Sequence, residues 1–249
     1  MRNPDHTTSR PGIALALVIA ALGLAGVASL LAMPLEEMLP DGIDVPRIAL
    51  VVNPAILVLA AAFIGWFAAQ RVGLAAPVLE NSLSGGDWKG PFLAALKPAL
   101  IVSIVGAAAL LAYGAATAAV FAEQGAGMEQ PLVSRLLYGG ISEEVVLRWG
   151  LMSMVAAIAF RFGAATGAAQ WIGNAVAALI FGLGHLPLLF GIMPEAPADL
   201  VALVVSANAA LGLLFGWLFM RKGLEAAMIA HALTHLFAVA AGTILLANS

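Results

Sequence analysis

Long apolar runs separated by short polar stretches dominate this sequence and restrict its possible folds more than any other feature. The first run, 12–33, contains 22 residues, and six similar runs follow it: 48–69, 98–122, 131–160, 167–190, 200–220 and 224–247. At 1.5 Å per residue, about 20 apolar residues cross the ~30 Å hydrocarbon core of a bilayer. We therefore predict an all-α polytopic membrane bundle of seven or eight membrane-spanning helices.

Composition agrees with a membrane protein and argues against several other classes. Hydrophobic residues make up 62% of the chain and charged residues 10%, whereas soluble domains are about 25% charged. The net charge of −3 gives no reason to expect a nucleic-acid partner. Without cysteine there is no disulfide, thiolate nucleophile or cysteine-bound metal. We expect one integral membrane domain over 1–249, in contact with the lipid bilayer.

The distribution of loop charges predicts an orientation. The first run is longer than the apolar core of a signal peptide, so we expect it to remain as the first helix. If the N-terminus is cytoplasmic, eight of the 11 Lys and Arg residues lie at inner ends of spans: Arg2, Arg10, Arg71, Lys89, Lys97, Arg161, Arg221 and Lys222. The acidic residues of the stretches 34–47 and 123–129 then face outward. This positive-inside pattern predicts a multi-pass cell-membrane protein with a cytoplasmic N-terminus.

The fourth run contains two adjacent acids and an arginine, Glu143, Glu144 and Arg148. A charge at the bilayer centre costs at least about 2.5 kcal/mol, so such residues are by default functional candidates. On a helix Glu144 and Arg148 are i,i+4 neighbours and can neutralise each other. Glu143 lies about 100° away on the helix, so it is predicted to be free to titrate. Two glycines just before it predict a kink.

Histidines occur in the fifth and seventh runs, each on a helix face with other polar or aromatic groups. Asn174, Ala178, Phe181 and His185 are spaced to share one helix face. His231 and His235 are also i,i+4 neighbours, the spacing that two helical metal ligands require.

The sixth run adds Ser206 and Asn208, and an intramembrane asparagine most often bonds to another helix. Polar groups on four successive spans are explained most simply by a shared cavity. A glutamate with histidines in such a cavity can activate water.

The order of these motifs resembles the CPBP (Abi) family of CAAX proteases and bacteriocin-processing or immunity proteins, which includes the type II CAAX prenyl endopeptidases. The motifs are Glu-Glu-x-x-x-Arg at 143–148, Phe-x-x-x-His at 181–185 and His-x-x-x-His at 231–235. The resemblance covers about 132–236, within a predicted catalytic helical core of 131–247. The first three spans match only in being hydrophobic.

The resemblance implies an intramembrane endopeptidase that acts on a membrane-associated peptide or protein and uses no cofactor. Glu143 and His185 would activate water, and Glu144 and Arg148 would support them. His231 and His235 would stabilise the oxyanion, with Phe181 and Asn208 as supporting residues. His235 departs from the family, which usually has asparagine there.

Three alternatives remain open at this stage. A zinc peptidase would use His185, His231 and His235 as ligands and Glu143 as base. A non-catalytic immunity or scaffold protein would use the polar cluster to bind a partner helix, and a transporter would use it to line a path.

The predicted span boundaries conflict with a shared site. They place His231 only nine residues after Lys222, about 15 Å in depth from Glu143 if all spans are straight.

Overall fold

The chain is helical throughout the part that the structure describes. The computed structural model describes residues 12–34, 46–123 and 130–247, and no residue in these ranges belongs to a β-strand. The helices before the acid motif are α1 (Ile13–Ser29), α2 (Arg47–Leu50), α3 (Val52–Ala68), α4 (Pro77–Ser84) and α5 (Lys89–Glu123). Short 3₁₀ turns extend α1 through Leu30–Ala32 and α3 through Ala69–Val72.

A continuous helical stretch, 132–161, follows and is called here the central helix. It consists of α6 (Leu132–Ser134), two π-helical segments (Arg135–Glu143 and Val145–Met152) and α7 (Ser153–Arg161). The remaining helices are α8 (Thr166–Leu183), α9 (Leu186–Ile192), α10 (Ala198–Lys222) and α11 (Leu224–Ala247).

Six helical stretches among the described residues are long and apolar enough to cross a membrane: Ile13–Ala32, Arg47–Val72, Lys89–Glu123, Thr166–Ile192, Ala198–Lys222 and Leu224–Leu245. They correspond to six of the seven predicted spans, so the predicted polytopic helical bundle is confirmed. The remaining predicted span, 131–160, is the fourth in chain order. It corresponds to the central helix and is not one of the six. It is divided into short α and π segments and carries four charged side chains, including Arg135.

The polar stretch 70–97, between the second and third predicted spans, is largely helical. It contains α4, and α5 already begins at Lys89, nine residues before the predicted start of the third span. Asp87 starts this helix, since its Oδ1 accepts hydrogen bonds from the backbone N–H groups of Lys89 (3.0 Å) and Gly90 (3.2 Å). Pro98 lies inside α5, as membrane helices tolerate.

The predicted orientation stays a prediction. Arg2, Arg10 and most of the acidic residues expected to face outward, in 35–45 and 124–129, lie outside the described residues.

The central helix packs against α1, α3, α8 and α11. Polar side chains attach it to two of these helices by donating to backbone carbonyl groups: Ser134 Oγ to Ser29 (2.8 Å), Ser142 Oγ to Gly23 (2.7 Å) and Trp149 Nε1 to Ala62 (3.0 Å). All three donors are buried. A buried donor without an acceptor is costly in lipid, so these bonds fix how the central helix sits among its neighbours.

Small residues allow α11 to approach the central helix closely. A Cβ atom on Gly140 would lie 2.6 Å from Ala232 Cβ and 2.8 Å from Ala232 Cα. Gly139 and Gly140, where a kink was predicted, lie in the first π-helical segment. Their observed contribution is therefore a close helix crossing, for which a residue without a side chain is required.

Replacing Gly140 with alanine tests this crossing. We expect G140A to lower stability by about 1–3 kcal/mol, because backbone and Cβ atoms of Ala232 would have to move. The matched control is G114A in α5, where a new Cβ has no neighbour within 4 Å and alanine favours the helix. Thermal unfolding in detergent measures both variants. Equal melting temperatures for G140A and the wild type would contradict the close crossing.

Candidate active site

Glu144 lies at the centre of a buried charged cluster. Its side chain is fully buried, its Oε1 is 3.2 Å from Arg148 Nη1, and the same oxygen is 2.8 Å from His231 Nδ1 on α11. The predicted i,i+4 pairing of Glu144 with Arg148 is therefore present. The contact with His231 was not predicted, and it links the central helix to α11 directly.

Arg148 is compensated from several directions. Its Nη2 donates to the backbone carbonyl of Gly212 on α10 at 3.1 Å. The guanidinium carbon lies 5.0 Å from the ring centroid of Phe181 and 5.6 Å from that of Phe215. These are cation–π distances, so the buried cation has a carboxylate, a carbonyl and two aromatic rings around it.

Glu143 has a different environment from its neighbour. Its side chain is 23% exposed, whereas that of Glu144 is 0% exposed. Glu143 Oε2 is 3.9 Å from His231 Nε2, close enough for a strong electrostatic interaction but beyond hydrogen-bond distance. The predicted division into one paired and one freer glutamate thus agrees with the geometry.

His231 lies between the two glutamates, and aromatic stacking fixes the orientation of its ring. Its ring stacks on Phe215, with centroids 4.5 Å apart and an interplanar angle of 19°. Phe215 is fully buried on α10. Sequence reasoning missed it, because a phenylalanine in an apolar run carries no signal that separates it from ordinary core.

His185 lies in the short turn between α8 and α9. Its Nδ1 is 2.8 Å from the carbonyl oxygen of Phe181. A carbonyl only accepts, so Nδ1 carries the hydrogen, and Nε2 of the neutral ring is left as an acceptor.

Phe181 joins the two histidines that come from different helices. Its centroid is 4.9 Å from that of His185 and 5.9 Å from that of His231. The predicted face of α8 is present as well, since Asn174, Ala178 and Phe181 are all buried. Phe181 thus places His185 in the same cluster of rings as His231.

His235 lies beside His231, with ring centroids 5.1 Å apart. The central helix leaves room for both rings at Gly139, where a Cβ atom would be 3.1 Å from His235 Nε2 and 3.8 Å from His231 Nε2. The predicted common face of these two histidines is present. The contribution of Gly139 was not predicted.

Asn208 is not brought to the cluster by any contact that the described part of the chain shows. Its Nδ2 donates to the Val204 carbonyl of its own helix at 2.9 Å. The bond between helices predicted for an intramembrane asparagine is instead made by Asn174, which donates to Leu213 on α10 at 3.1 Å.

The predicted span boundaries conflicted with a shared site, whereas the order of the motifs predicted one. The structure agrees with the motif order, since His231 Nε2 lies 3.9 Å from Glu143 Oε2. At the start of α11, Leu224 is fully buried and donates its backbone N–H to the Ala75 carbonyl at 3.0 Å. Glu225 Oε1 accepts from the backbone N–H of Leu79 in α4 at 2.8 Å. The segment around α4 therefore covers the first turn of α11.

The described residues contain no group of three or more His, Asp or Glu side chains placed to hold a metal ion. The Nδ1 atoms of His185 and His231 are already occupied by Phe181 and Glu144. A zinc ion bound by His185, His231 and His235 would have to use the remaining ring nitrogens.

Removal of Arg148 tests the charge compensation of Glu144. We expect R148M to lower stability by about 3–5 kcal/mol, because a buried carboxylate loses its nearest full charge. Adding E144Q to R148M should recover part of this loss, since the uncompensated charge is then absent. R221M, at the exposed end of α10, is the control. Unfolding in detergent measures the wild type, R148M, E144Q, the double variant and R221M. Additive losses in the double variant would contradict the pairing.

Comparison with known proteins was made on the whole chain. Residues 130–237 match the family model described as type II CAAX prenyl endopeptidase Rce1-like. No curated protein and no solved structure gives a significant match. The matched stretch contains the Glu-Glu-x-x-x-Arg motif and all three histidines of the cluster. The resemblance seen in the three motifs is thereby confirmed: residues 130–237 of this integral membrane protein match the Rce1-like type II CAAX prenyl endopeptidase family.

Proposed function

We propose that this protein is an intramembrane endopeptidase in which Glu143 activates a water molecule. The observation that carries the proposal is the contrast between the two glutamates. Glu144 is buried and bound to Arg148 and His231, whereas Glu143 is partly exposed and faces His231 Nε2 at 3.9 Å. A partly exposed carboxylate with a basic ring beside it is equipped for general base catalysis.

In the first step, the water lies between Glu143 and His185. His185 Nε2 accepts a hydrogen bond from the water, because its Nδ1–H is committed to Phe181. Glu143 takes the other proton of the water. The oxygen then attacks the peptide carbonyl of a membrane-associated substrate.

In the second step, negative charge develops on the carbonyl oxygen, and His231 Nε2–H donates to it. His231 provides this donor when Nε2 carries a hydrogen in addition to Nδ1, which lies 2.8 Å from Glu144 Oε1. His235 is the second donor, with a strength that depends on its tautomer. Preorganised donors of this kind stabilise the transition state strongly in a low-dielectric site.

In the third step, Glu143 passes its proton to the leaving amine as the C–N bond breaks. The products are a carboxylic acid and a free amine, and the enzyme returns to its starting state. Glu144 and Arg148 do not touch the substrate in this scheme. They are positioning residues, which hold His231 in place.

Replacement of Glu143 with glutamine tests the role of the base. We expect E143Q to lose at least about 100-fold in cleavage rate, because an amide cannot take the proton. The control is E195Q, at an exposed glutamate between α9 and α10. New protein N-termini are compared in membranes that contain each protein at equal expression. If E143Q membranes give the wild-type termini at the wild-type rate, the proposal fails.

His235 gives an independent test of the oxyanion assignment. An asparagine at this position donates through its amide at any pH, whereas histidine donates according to its protonation and tautomer. We therefore expect H235N to keep activity with a flatter pH dependence. H235A should lose about 10²–10³-fold, as when an oxyanion donor is removed. Equal rates for H235A and wild type would exclude His235 from the reaction.

Two other functions remain testable against this one. A zinc peptidase predicts loss of activity on chelation and recovery when zinc is added back. A non-catalytic immunity or scaffold protein is favoured by the histidine at position 235, where the family usually has asparagine. For that function, a Glu143→Ala strain should retain the biological activity of the protein.

A further inference from the structure

An apolar groove lies between α3 and α7, away from the acid–histidine cluster. Its volume is about 340 Å³, at the lower end of the range for ligand pockets. Phe67, Ala157 and Ile158 form part of its apolar wall, and its two charged lining residues are Arg71 and Arg161. The remaining lining residues are apolar as well.

The two arginines belong to the same end of the groove because α3 and the central helix run in parallel. Trp149 Nε1 donates to the Ala62 carbonyl, which fixes these two residues at one level. Arg71 follows Ala62 by nine residues, and Arg161 follows Trp149 by twelve. At 1.5 Å per residue for a helix, both arginines lie about 13–18 Å further along, where α3 and α7 end.

In the described part of the chain, neither arginine has an acidic partner. Arg71 is held over the ring of Phe67, 3.4 Å from its centroid, and donates to the Phe67 carbonyl. Arg161 is exposed. Two cations beside one groove repel each other. An anion placed between them is attracted to both and offsets this repulsion.

The groove is open on the lipid-facing side of the bundle. Phe67 is 63% exposed and Phe162, next to Arg161, is 85% exposed. Arginine side chains near the end of a membrane helix reach to the headgroup level. At that level, an apolar groove that ends in two arginines matches a molecule with an acyl chain and an anionic head.

We propose that this groove binds one anionic phospholipid. An acyl chain lies against Phe67, Ala157 and Ile158, and the phosphate lies between Arg71 and Arg161. Guanidinium groups bind phosphate oxygens with two parallel hydrogen bonds. The preference for a head with net negative charge arises because the two arginines would repel the ammonium group of a zwitterionic choline head. The lipid would connect the ends of α3 and α7, and this role does not depend on peptidase activity.

Lipid titration by native mass spectrometry of the delipidated full chain tests the proposal. The ligands are phosphatidylglycerol, phosphatidylcholine with the same acyl chains, and soluble glycerol phosphate. We expect one phosphatidylglycerol to bind at least tenfold more tightly than either of the others. Saturating phosphatidylglycerol should raise the melting temperature by on the order of 5 °C.

Four variants assign the binding to the groove. R71Q/R161Q should weaken phosphatidylglycerol binding at least tenfold, and R71K/R161K should keep part of it because the charges remain. A157F should also weaken binding, since it fills the groove without changing charge. R221Q/K222Q is the matched control. It removes two cations at the end of α10, beside a separate cavity of about 350 Å³, and should bind like the wild type.

Several results would overturn the proposal. These are wild-type binding by R71Q/R161Q, equal binding of phosphatidylcholine, equal binding of glycerol phosphate, or an equal loss in R221Q/K222Q. Melting temperatures without lipid show whether each variant is folded. If R71Q/R161Q is not, R161Q replaces it, because Arg161 is exposed and makes no hydrogen bond or ion pair with the described residues. Unchanged binding in R161Q then also counts against the proposal.

Discussion

The fully buried carboxylate of Glu144 is the constraint on which the site depends. An ionised carboxylate removed from water is costly unless it is paired and hydrogen-bonded. Here one oxygen interacts with Arg148 of the same helix and with His231 of α11. Arg148 in turn bonds to Gly212 of α10. Three helices therefore meet at one charge, and none can shift without leaving a charged group uncompensated. The position of His231 is thus a consequence of electrostatics as well as of packing.

The surrounding bundle makes this cluster possible by burying the middle of the central helix, where Glu144 and Arg148 lie. The central helix carries five charged side chains and would be a poor membrane span alone. Apolar helices surround it, and Ser134, Ser142 and Trp149 attach it to their backbone carbonyls. Each such bond contributes only about 0.6 kcal/mol on average in membrane proteins. Their main effect is on the orientation of the central helix, since together they fix which of its sides faces α11. Polar groups thereby set the orientation, and small residues such as Gly140 set the distance.

The sequence was informative where residues recur at helical spacing and where the membrane makes a polar or charged residue energetically costly. Six of the apolar runs form apolar helices long enough to span a membrane, and Glu144 pairs with Arg148. The histidines of the two motifs lie in one cluster. Features that depend on tertiary packing could not be predicted. Phe215 resembles any core phenylalanine, and the use of Gly139 is visible only once α11 is placed beside it. The predicted boundaries set His231 apart from Glu143, because boundaries are the least accurate part of a prediction from sequence. That the stretch before α5 contains α4, which covers the start of α11, could not be predicted from its polar residues. Asn208 bonded within its own helix, an option that spacing alone does not distinguish from a bond to another helix.

The adjacency of Glu143 and Glu144 also bears on the proposed reaction. Neighbouring residues of a helix point in different directions, so one carboxylate can be buried while the next reaches water. The imidazole of His231 lies between them, with one ring nitrogen toward each. When Glu143 takes a proton from water, it loses its negative charge while the substrate oxygen gains one. The total charge near His231 therefore stays the same, and only its position changes. A fixed imidazole, held by Glu144, can stabilise both arrangements with little movement, and small reorganisation is a main source of electrostatic catalysis in a low-dielectric site.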